Sequence, residues 1–337
     1  MTDPNTYDVS EIDAIVDSVR KTFCDKLAAD PNFFGQDKGV ERRIAATLNK
    51  NAPKGTPAAP VGVDANSTAG IMATVDLTIL DHKARTEEVE KVAQRAAKEH
   101  CASVCVYPEH LGIVSNVMKK SGVSDVPPIA VVGFPSVAAP TSEATAATVE
   151  QTREAIAAGA KEIDMVLSMS FREGKGDYQN HFKYIKAVVD AAHAKSIPVK
   201  VILETGYLTD RQIAEASVLA KIAGADWVKT TTGFAEEANL AKGKNISQHK
   251  GATPHDVALI RRTVGDISLD DNGNKKPMGV KASGGVRNRA QAQAVLNAGA
   301  DRIGASCGLD VRTDAEKVTD CQNPQPQLKT AAGKGSY

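Results

Sequence analysis

A lysine interrupts a β-branched run in the stretch Trp227-Val228-Lys229-Thr230-Thr231-Thr232-Gly233. The residues before it, with a glycine at 224, are typical of a helix that stops before a turn, so residues 227–231 are predicted to form a buried strand. An ammonium group is costly to bury unless it is paired or loses its proton. Lys229 is therefore interpreted either as an amine nucleophile of the Schiff-base type or as a side chain that reaches solvent at the strand end.

Short apolar runs alternate with helical patterns from residue 70 onward, and the stretch around Lys229 is the sixth of eight predicted strands. The predicted strands are Ile71–Leu77, Ser103–Tyr107, Ile129–Phe134, Glu162–Leu167, Val199–Glu204, Trp227–Thr231, Gly279–Ser283 and Arg302–Ala305. The predicted helices cover residues 86–100, 109–120, 142–158, 179–195, 209–223, 254–264, 288–298 and 311–320.

This alternation predicts an α/β fold of the (β/α)₈ TIM barrel type. The phrase Ala-Gly-Ala, which ends a helix and leads into a strand, recurs at residues 158–160, 223–225 and 298–300. An open doubly wound sheet usually carries a glycine-rich fingerprint after its first strand, and none follows Leu77.

An N-terminal helical extension precedes the predicted barrel. Residues 1–67 are predicted to form this extension and a linker, residues 68–320 the barrel, and residues 321–337 a flexible tail. Apolar residues from Ile12 to Leu27 recur at helical spacing after Ser10, the predicted N-cap, and a shorter helix is predicted from Val40 to Leu48. The apolar stripe is expected to pack on the barrel, with a partner protein as the alternative.

Composition narrows the class of protein. The chain has 337 residues, 42% of them hydrophobic, and zero formal net charge, which suits one large domain and argues against a general nucleic-acid binder. No apolar run of membrane-spanning length is present, so no membrane partner is expected. The five cysteines form no metal-like or disulfide-like framework, and their odd number favours a cytoplasmic location.

Charged residues occupy predicted strands at positions where apolar residues would normally fill a barrel. They are Asp164, Lys200, Glu204, Lys229 and Lys281. Adjacent strands lie about 4.8 Å apart, so Lys229 and Lys281 are expected to approach each other. A like charge and burial both lower a lysine pKa and so supply a neutral amine, while Asp164 is expected to pair with a lysine or hold a proton-relaying water. The alternative is a purely structural ion network.

Glycine-rich loops follow the seventh and eighth predicted strands. They read Ser283-Gly284-Gly285-Val286-Arg287 and Gly304-Ala305-Ser306-Cys307-Gly308. These two loops commonly form a phosphate site in a (β/α)₈ barrel, because glycine lets backbone N–H groups approach an anion. The loops therefore predict a phosphorylated ligand.

Several motifs together resemble the 2-deoxyribose-5-phosphate aldolase family of class I aldolases over about residues 70–310. The motifs are Val75-Asp76-Leu77-Thr78, Val104-Cys105-Val106-Tyr107-Pro108, Val132-Gly133-Phe134-Pro135, Glu162-Ile163-Asp164-Met165-Val166, Lys200-Val201-Ile202-Leu203-Glu204-Thr205, Val228-Lys229-Thr230-Thr231-Thr232-Gly233 and Val280-Lys281-Ala282-Ser283-Gly284-Gly285-Val286-Arg287. The resemblance implies a (β/α)₈ barrel that reversibly cleaves 2-deoxy-D-ribose 5-phosphate to acetaldehyde and D-glyceraldehyde 3-phosphate.

The resemblance also implies roles for individual residues. Lys229 would form the Schiff base, Lys281 would lower its pKa and assist proton transfer, and Asp164 would be the proton-relay carboxylate. The residues implied in substrate or phosphate binding are Asp76, Cys105, Lys200, Thr232, Gly233, Gly284, Gly285 and Ser306. Among them, Cys105 is expected near the aldehyde pocket without a catalytic role, and Asp76 either contacts a substrate hydroxyl or caps its strand.

The implied partners are a phosphorylated sugar and small aldehydes, with no metal and no cofactor, and a homodimer is the oligomer considered. Two alternatives stay open: another Schiff-base lyase or transaldolase acting on a different phosphorylated sugar, and a non-catalytic barrel scaffold. Three departures bear on substrate preference: Phe234 stands where some members have a lysine, residues 235–251 are longer than expected, and Cys307 follows Ser306 where a second serine is familiar.

The last residue, Tyr337, follows a glycine-containing tail without helical or strand pattern. Family members tend to close with a similar segment ending in tyrosine, and a tail of ~15 residues is long enough to cross the barrel mouth. Tyr337 is therefore predicted to visit the site and carry the methyl proton between imine and enamine. The alternative is a flexible terminus without a role.

Overall fold

The computed structural model describes residues 7–174, 176–234, 251–306 and 308–313. Ten strands lie in these ranges: β1 (Val75–Ile79), β2 (Ser103–Val106), β3 (Pro128–Val132), β4 (Glu162–Val166), β5 (Val199–Ile202), β6 (Trp227–Lys229), β7 (Ile267–Leu269), β8 (Lys275–Pro277), β9 (Gly279–Ser283) and β10 (Arg302–Ala305). Eight of them close into a parallel barrel in the order β1-β10-β9-β6-β5-β4-β3-β2, while β7 and β8 form a separate antiparallel hairpin.

The same ranges contain helices that cover the barrel and extend it at the N-terminus. They are α1 (Val9–Ala29), α2 (Lys38–Leu48), α3 (Thr68–Met72), α4 (Thr86–Lys98), α5 (Leu111–Ser121), α6 (Ser142–Ala157), α7 (Tyr178–His193), α8 (Asp210–Ala223), α9 (Pro254–Val264) and α10 (Arg289–Asn297). Each of the first seven barrel strands is followed by a helix, so the predicted (β/α)₈ TIM barrel with an N-terminal helical extension is confirmed.

Some predicted boundaries are wrong. The first strand begins at Val75, because the Ser67 hydroxyl accepts the N–H of Gly70 at 3.0 Å and starts a short helix where the sequence predicted strand from Ile71. The strands predicted to end at residues 204 and 231 stop at Ile202 and Lys229. Of the eighth predicted helix, residues 311–313 are not helical and residues 314–320 lie outside the described part of the chain.

The main core lies between the strands and the surrounding helices, where apolar side chains of both layers are buried. A smaller apolar cluster fills part of the barrel interior and consists of Leu80, Tyr107, Val131, Val166 and Ile202, with Phe134 and Phe234 packed against it. The remaining interior is charged, which sets the position of the site. None of the described helices combines the length and apolar character needed to cross a membrane.

The extension packs on the barrel, as its apolar stripe predicted. Helices α1 and α2 contact α8 and α9, and Phe23 of α1 is fully buried. The N-cap of α1 is Asp8, not the predicted Ser10, because the Asp8 carboxylate accepts the N–H groups of Ser10 and Glu11. Covered from outside by the extension, α8 is buried over eleven consecutive residues, 213–223.

The segment predicted as a linker is hydrogen-bonded to α9 and α10 of the barrel. Arg262 donates to the carbonyl oxygen of Gly55 at 3.1 Å, Gln293 to that of Ala65 at 3.0 Å, and Arg289 to that of Asn66 at 2.7 Å. Arg262 also binds both carboxylate oxygens of Asp13, at 2.8 and 2.6 Å. These contacts join the extension to the barrel along its length.

Arg43 of α2 is 2% exposed and ties the extension to the end of α8. It donates to the Ile222 carbonyl oxygen at 2.7 Å and to Asp271 at 2.6 Å. We expect Arg43→Met to lower the free energy of unfolding by about 2 kcal/mol, because a buried carbonyl loses a charged donor. Urea denaturation measures this loss, and Arg42→Met, at an exposed neighbour, is the control. Equal loss in both variants would contradict the prediction.

Candidate active site

The barrel register brings the predicted charged side chains together. Asp164 on β4 pairs with Lys200 on β5, and Lys229 on β6 pairs with Lys281 on β9. All four residues are 0% exposed. Paired residues on neighbouring parallel strands point to the same face of the sheet, so these side chains form one cluster inside the barrel.

Lys229 and Lys281 share one carboxylate oxygen. Each Nζ lies 2.9 Å from Oδ2 of Asp164. Lys281 has a second carboxylate, Asp76, whose Oδ2 lies 2.6 Å from its Nζ. Among the described residues, Asp164 is the one carboxylate within 4 Å of the Lys229 ammonium. Lys229 is therefore the less strongly paired of the two lysines.

The network keeps Asp164, Asp76 and Lys281 in their charged forms. Burial raises the pKa of Asp164, but Lys200, Lys229 and Lys281 outweigh it and hold the pKa well below its usual value. Burial likewise raises the pKa of Asp76, but the positive charges of Lys281 and Arg302 outweigh it and lower the pKa to about 2. Burial lowers the pKa of Lys281, yet Asp164 and Asp76 raise it above the ordinary lysine value. Lys281 is thus a permanent cation beside Lys229.

Positive charge exceeds negative charge within this ion-pair network. The cations are Lys200, Lys229, Lys281 and Arg302, and the carboxylates are Asp76, Glu162 and Asp164. An uncompensated buried charge is costly, and a lysine relieves that cost by releasing its proton. Arg302 cannot do so, and Lys281 is held by two carboxylates. Lys229, with one carboxylate partner among the described residues, therefore has the fewest counter-ions of these four cations.

Two residues predicted to bind substrate pair with other charges of the network. Lys200 was predicted among the substrate-binding residues, but its Nζ contacts Glu162 and lies 3.1 Å from Oδ1 of Asp164, below the level of Lys229 and with no exposed surface. Asp76 was predicted to contact a substrate hydroxyl or to cap its strand. Its two oxygens instead lie 2.6 Å from Lys281 and 3.2 Å from Arg302. Both residues support the cluster from beneath.

Cys105 also reaches the cluster, with its Sγ 3.9 Å from Oδ2 of Asp164. Burial and the charge of Asp164 raise the pKa of the thiol to about 11. A thiol that stays protonated is a poor nucleophile, so this environment agrees with the expectation that Cys105 has no catalytic role.

Glycine loops line the cleft above the lysines. Thr232, Gly233, Gly284, Gly285 and Ser306 all line this cleft. Gly284 has φ +88°, and a Cβ there would lie 3.2 Å from the Cα atoms of Gly233 and Gly251, so a side chain would be strained and crowded. The loops thus present bare backbone at the barrel mouth, which suits an anion.

Tyr337, the 235–250 part of the longer segment and Cys307 lie outside the described residues, so the role of Tyr337 stays a prediction. Sequence reasoning missed Arg302 and Glu162, which bind each other at 2.8 Å and complete the lower part of the network. Their positions at the starts of β10 and β4 gave a signal, since charged residues are uncommon inside buried strands.

Comparisons with known proteins agree with the geometry. Residues 70–313 match the DeoC/LacD family of aldolases. Deoxyribose-phosphate aldolase of Clostridium perfringens strain SM101 is 41% identical over 237 residues, which cover 70% of this chain and 92% of that protein. The enzyme of the same name from Staphylococcus saprophyticus is 38% identical over 247 residues, covering 73% of this chain and 97% of that protein.

Solved structures show the same fold. A Coccidioides immitis protein provisionally named as a deoxyribose-phosphate aldolase has a TM-score of 0.61 and 29% identity, covering 81% of this chain and 93% of that one. Deoxyribose phosphate aldolase from Aeropyrum pernix, described as tetrameric, has a TM-score of 0.58 and 24% identity over 78% and 99% of the two chains. The chain belongs to the DeoC/LacD family of aldolases.

Proposed function

We propose that this aldolase reversibly cleaves 2-deoxy-D-ribose 5-phosphate to acetaldehyde and D-glyceraldehyde 3-phosphate through a Schiff base on Lys229. The observation that carries the proposal is the buried Lys229 Nζ, which shares an Asp164 oxygen with the cationic Lys281. The substrate is inferred from the names of relatives up to 41% identical and from the glycine loops at the mouth.

The first half of the reaction needs a neutral amine. Lys229 adds to the carbonyl carbon of acetaldehyde, and the oxygen takes up a proton to give a carbinolamine. Loss of water leaves a protonated imine, whose positive nitrogen draws electrons and allows the methyl group to lose a proton, giving an enamine. Asp164 accepts hydrogen bonds from both lysines and is assigned to hold the protons or the water that move in these steps.

The second half forms the carbon–carbon bond. The enamine carbon attacks the aldehyde carbon of D-glyceraldehyde 3-phosphate, the new alkoxide is protonated, and water releases the product from Lys229. The backbone of Gly284 and Gly285 and the hydroxyl of Ser306 are assigned to the phosphate group. Cleavage runs through the same steps in reverse.

Reductive trapping tests the proposal directly. The full chain is incubated with acetaldehyde and cyanoborohydride, which reduces an imine to a stable amine, and peptide mapping then locates the modified lysine. We expect modification at Lys229 that depends on both reagents. Modification confined to another lysine, or turnover without any trapping, would rule out the proposed Schiff base.

Lys281 is expected to control the pH at which Lys229 becomes active. Lys281→Met removes the neighbouring positive charge, so Lys229 should hold its proton more firmly. The rising limb of the kcat–pH profile is then expected to move to higher pH, with roughly a tenfold loss at neutral pH for each unit of the shift. Lys281→Arg retains the charge and is the control. An unchanged limb with only a raised KM would make Lys281 a phosphate ligand instead.

The glycine loops are expected to matter for the binding of phosphorylated substrates. Gly285 has φ +76°, so Gly285→Val strains the loop and displaces its N–H. We expect kcat/KM for 2-deoxyribose 5-phosphate to fall at least about tenfold, the worth of one hydrogen bond to a charged group. The rate with unphosphorylated 2-deoxyribose should change little, and Gly112→Ala, at an open helical site, is the matched control. Equal losses on both substrates would mean a structural loop.

We further propose a cytoplasmic location for this chemistry, which rests on the odd number of cysteines. A homodimer is our prediction for the oligomeric state, and light scattering of the full chain measures it.

A further inference from the structure

Glu204 is a buried carboxylate beside the Lys229 strand that none of the proposed steps uses. It follows β5, is 7% exposed, and has φ 60° and ψ 60°, a left-handed conformation that side chains other than glycine seldom adopt. The turn around it is fixed by backbone bonds, from Thr205 N–H to the Thr230 carbonyl at 3.0 Å and from Tyr207 N–H to the Glu204 carbonyl at 2.9 Å. Unfavourable backbone that is held in this way often marks a functional position.

Donors from the loop after β6 converge on this carboxylate. The N–H of Thr232 lies 3.2 Å from each Glu204 oxygen, and the Thr232 hydroxyl donates to Oε2 at 2.5 Å. Burial raises the pKa of Glu204, and the hydrogen bonds from Thr232 oppose that rise by favouring the ionised form.

An ionised carboxylate only accepts hydrogen bonds, so the Thr232 hydroxyl proton points toward Glu204. The Thr232 oxygen is then free to accept the N–H of Phe234 at 3.0 Å. At the preceding residue, the Thr231 oxygen accepts the N–H of Gly233 at 2.7 Å. Glu204 thus orders the turn from Thr232 to Phe234 through one hydroxyl group and one backbone N–H.

Thr232, Gly233 and Phe234 form one wall of the cleft that contains the glycine loops. A Cβ on Gly284 would lie 3.2 Å from the Thr231 hydroxyl and 3.2 Å from the Gly233 Cα, so the wall and the Gly284 loop pack closely. A shift of residues 232–234 therefore changes the spacing between the two sides of the cleft. Lys229 itself is held separately, by Asp164.

We propose that Glu204 is a positioning residue that sets the direction of the Thr232 hydroxyl and thereby holds the cleft in the shape that binds a substrate phosphate. This inference rests on the proposed function, because it assigns the phosphate group to this cleft. Glu204 touches neither substrate nor the reacting atoms, and its effect on the reaction passes through the loop after β6.

Glu204→Gln tests the proposal, because the amide keeps the size of the side chain but introduces an N–H donor that competes with the Thr232 hydroxyl. We expect KM for 2-deoxyribose 5-phosphate to rise about tenfold, the equivalent of one displaced hydrogen bond, while kcat changes little. The kinetics of unphosphorylated 2-deoxyribose and the trapping of acetaldehyde at Lys229 should stay as in the unmodified protein. Glu215→Gln, at a second buried glutamate on α8, is the matched control and should change none of these readouts.

A double-mutant cycle tests the route through Thr232. Thr232→Val removes the hydroxyl and should raise KM as Glu204→Gln does, Thr232→Ser should keep the original KM, and the Glu204→Gln/Thr232→Val pair should be no worse than either single change. Urea denaturation of each variant checks that it is folded. Additive losses, or equal losses on both substrates, would overturn the proposal.

Inorganic phosphate provides a readout without turnover. Phosphate should raise the Tm of the unmodified full chain, because a ligand that binds the folded state stabilises it. We expect a smaller rise in Glu204→Gln and an unchanged rise in Glu215→Gln. If phosphate raises the Tm of Glu204→Gln as much as that of the unmodified chain, the proposed role of Glu204 is refuted. Absence of acetaldehyde trapping in the unmodified chain would instead refute the proposed function.

Discussion

Lys229→Arg is expected to abolish both reductive trapping and turnover. Arginine keeps a positive charge beside Asp164 but stays protonated in proteins, so it offers no amine lone pair to a carbonyl carbon. Every later step requires the protonated imine to withdraw electrons. We therefore expect the activity of this variant to fall to the detection limit of the assay. Trapping that persists at another lysine in this variant would show that Lys229 is not the nucleophile.

Lys221 provides a demanding control for this experiment. It is 7% exposed, and burial lowers its pKa to about 8, so it is an amine that readily loses its proton. Its Nζ, however, donates to the Val264 carbonyl near the end of α8, away from the barrel mouth. Lys221→Arg should therefore leave trapping and turnover intact. Loss of trapping in this control would mean that a reactive amine alone accounts for the labelling.

Asp164→Asn is expected to have the second largest effect, on activity and on stability together. The amide is neutral, so three buried lysines lose the carboxylate that they share. Breaking a buried ion pair by removing one partner costs roughly 3–5 kcal/mol, and loss of general acid–base help costs roughly 10²–10⁴ in rate. Urea denaturation and steady-state kinetics measure the two effects. A variant as stable as the unmodified protein would contradict the paired arrangement.

The same carboxylates predict an acid limit to stability. The folded pKa of Asp76 is about 2 and that of Asp164 also lies well below its ordinary value. A carboxyl group whose pKa is lower in the folded state stabilises the protein above its unfolded pKa, near ~3.9, and that contribution disappears as the pH falls through the folded pKa. Stability should therefore drop between about pH 4 and pH 2, and less steeply in Asp164→Asn.

Much of the fold followed from periodicity and glycine stops. β9 and β10 begin and end where the sequence predicted, and β10 directly follows an Ala-Gly-Ala phrase. The first strand was predicted too early because Ile71 and Met72 belong to an apolar run that fits a helix as well as a strand. The Ser67 side chain decides between them by capping the helix, and a cap that lies four residues before Ile71 is easily overlooked.

Several charged residues of the site could be predicted from the sequence, but not all the ion pairs that they form. A charge inside a predicted strand marks a residue that faces the barrel interior, and Asp164, Lys229 and Lys281 were found in this way. Which partner each charge meets depends on strand register and on residues far away in sequence. The pairings of Asp76 and Lys200 were not predicted, because Arg302 and Glu162, their partners on neighbouring strands, were not recognised.

The burial of α8 over residues 213–223 has a consequence for where the folding unit begins. The similarity to aldolases starts at residue 70, whereas the outer face of α8 is covered by helices that end at Leu48. A fragment cut to the matched residues would present that helix face to water and lose the Arg43 and Arg262 bonds. The extension and barrel should therefore melt in one cooperative transition, and the boundary of family likeness is not a boundary of folding.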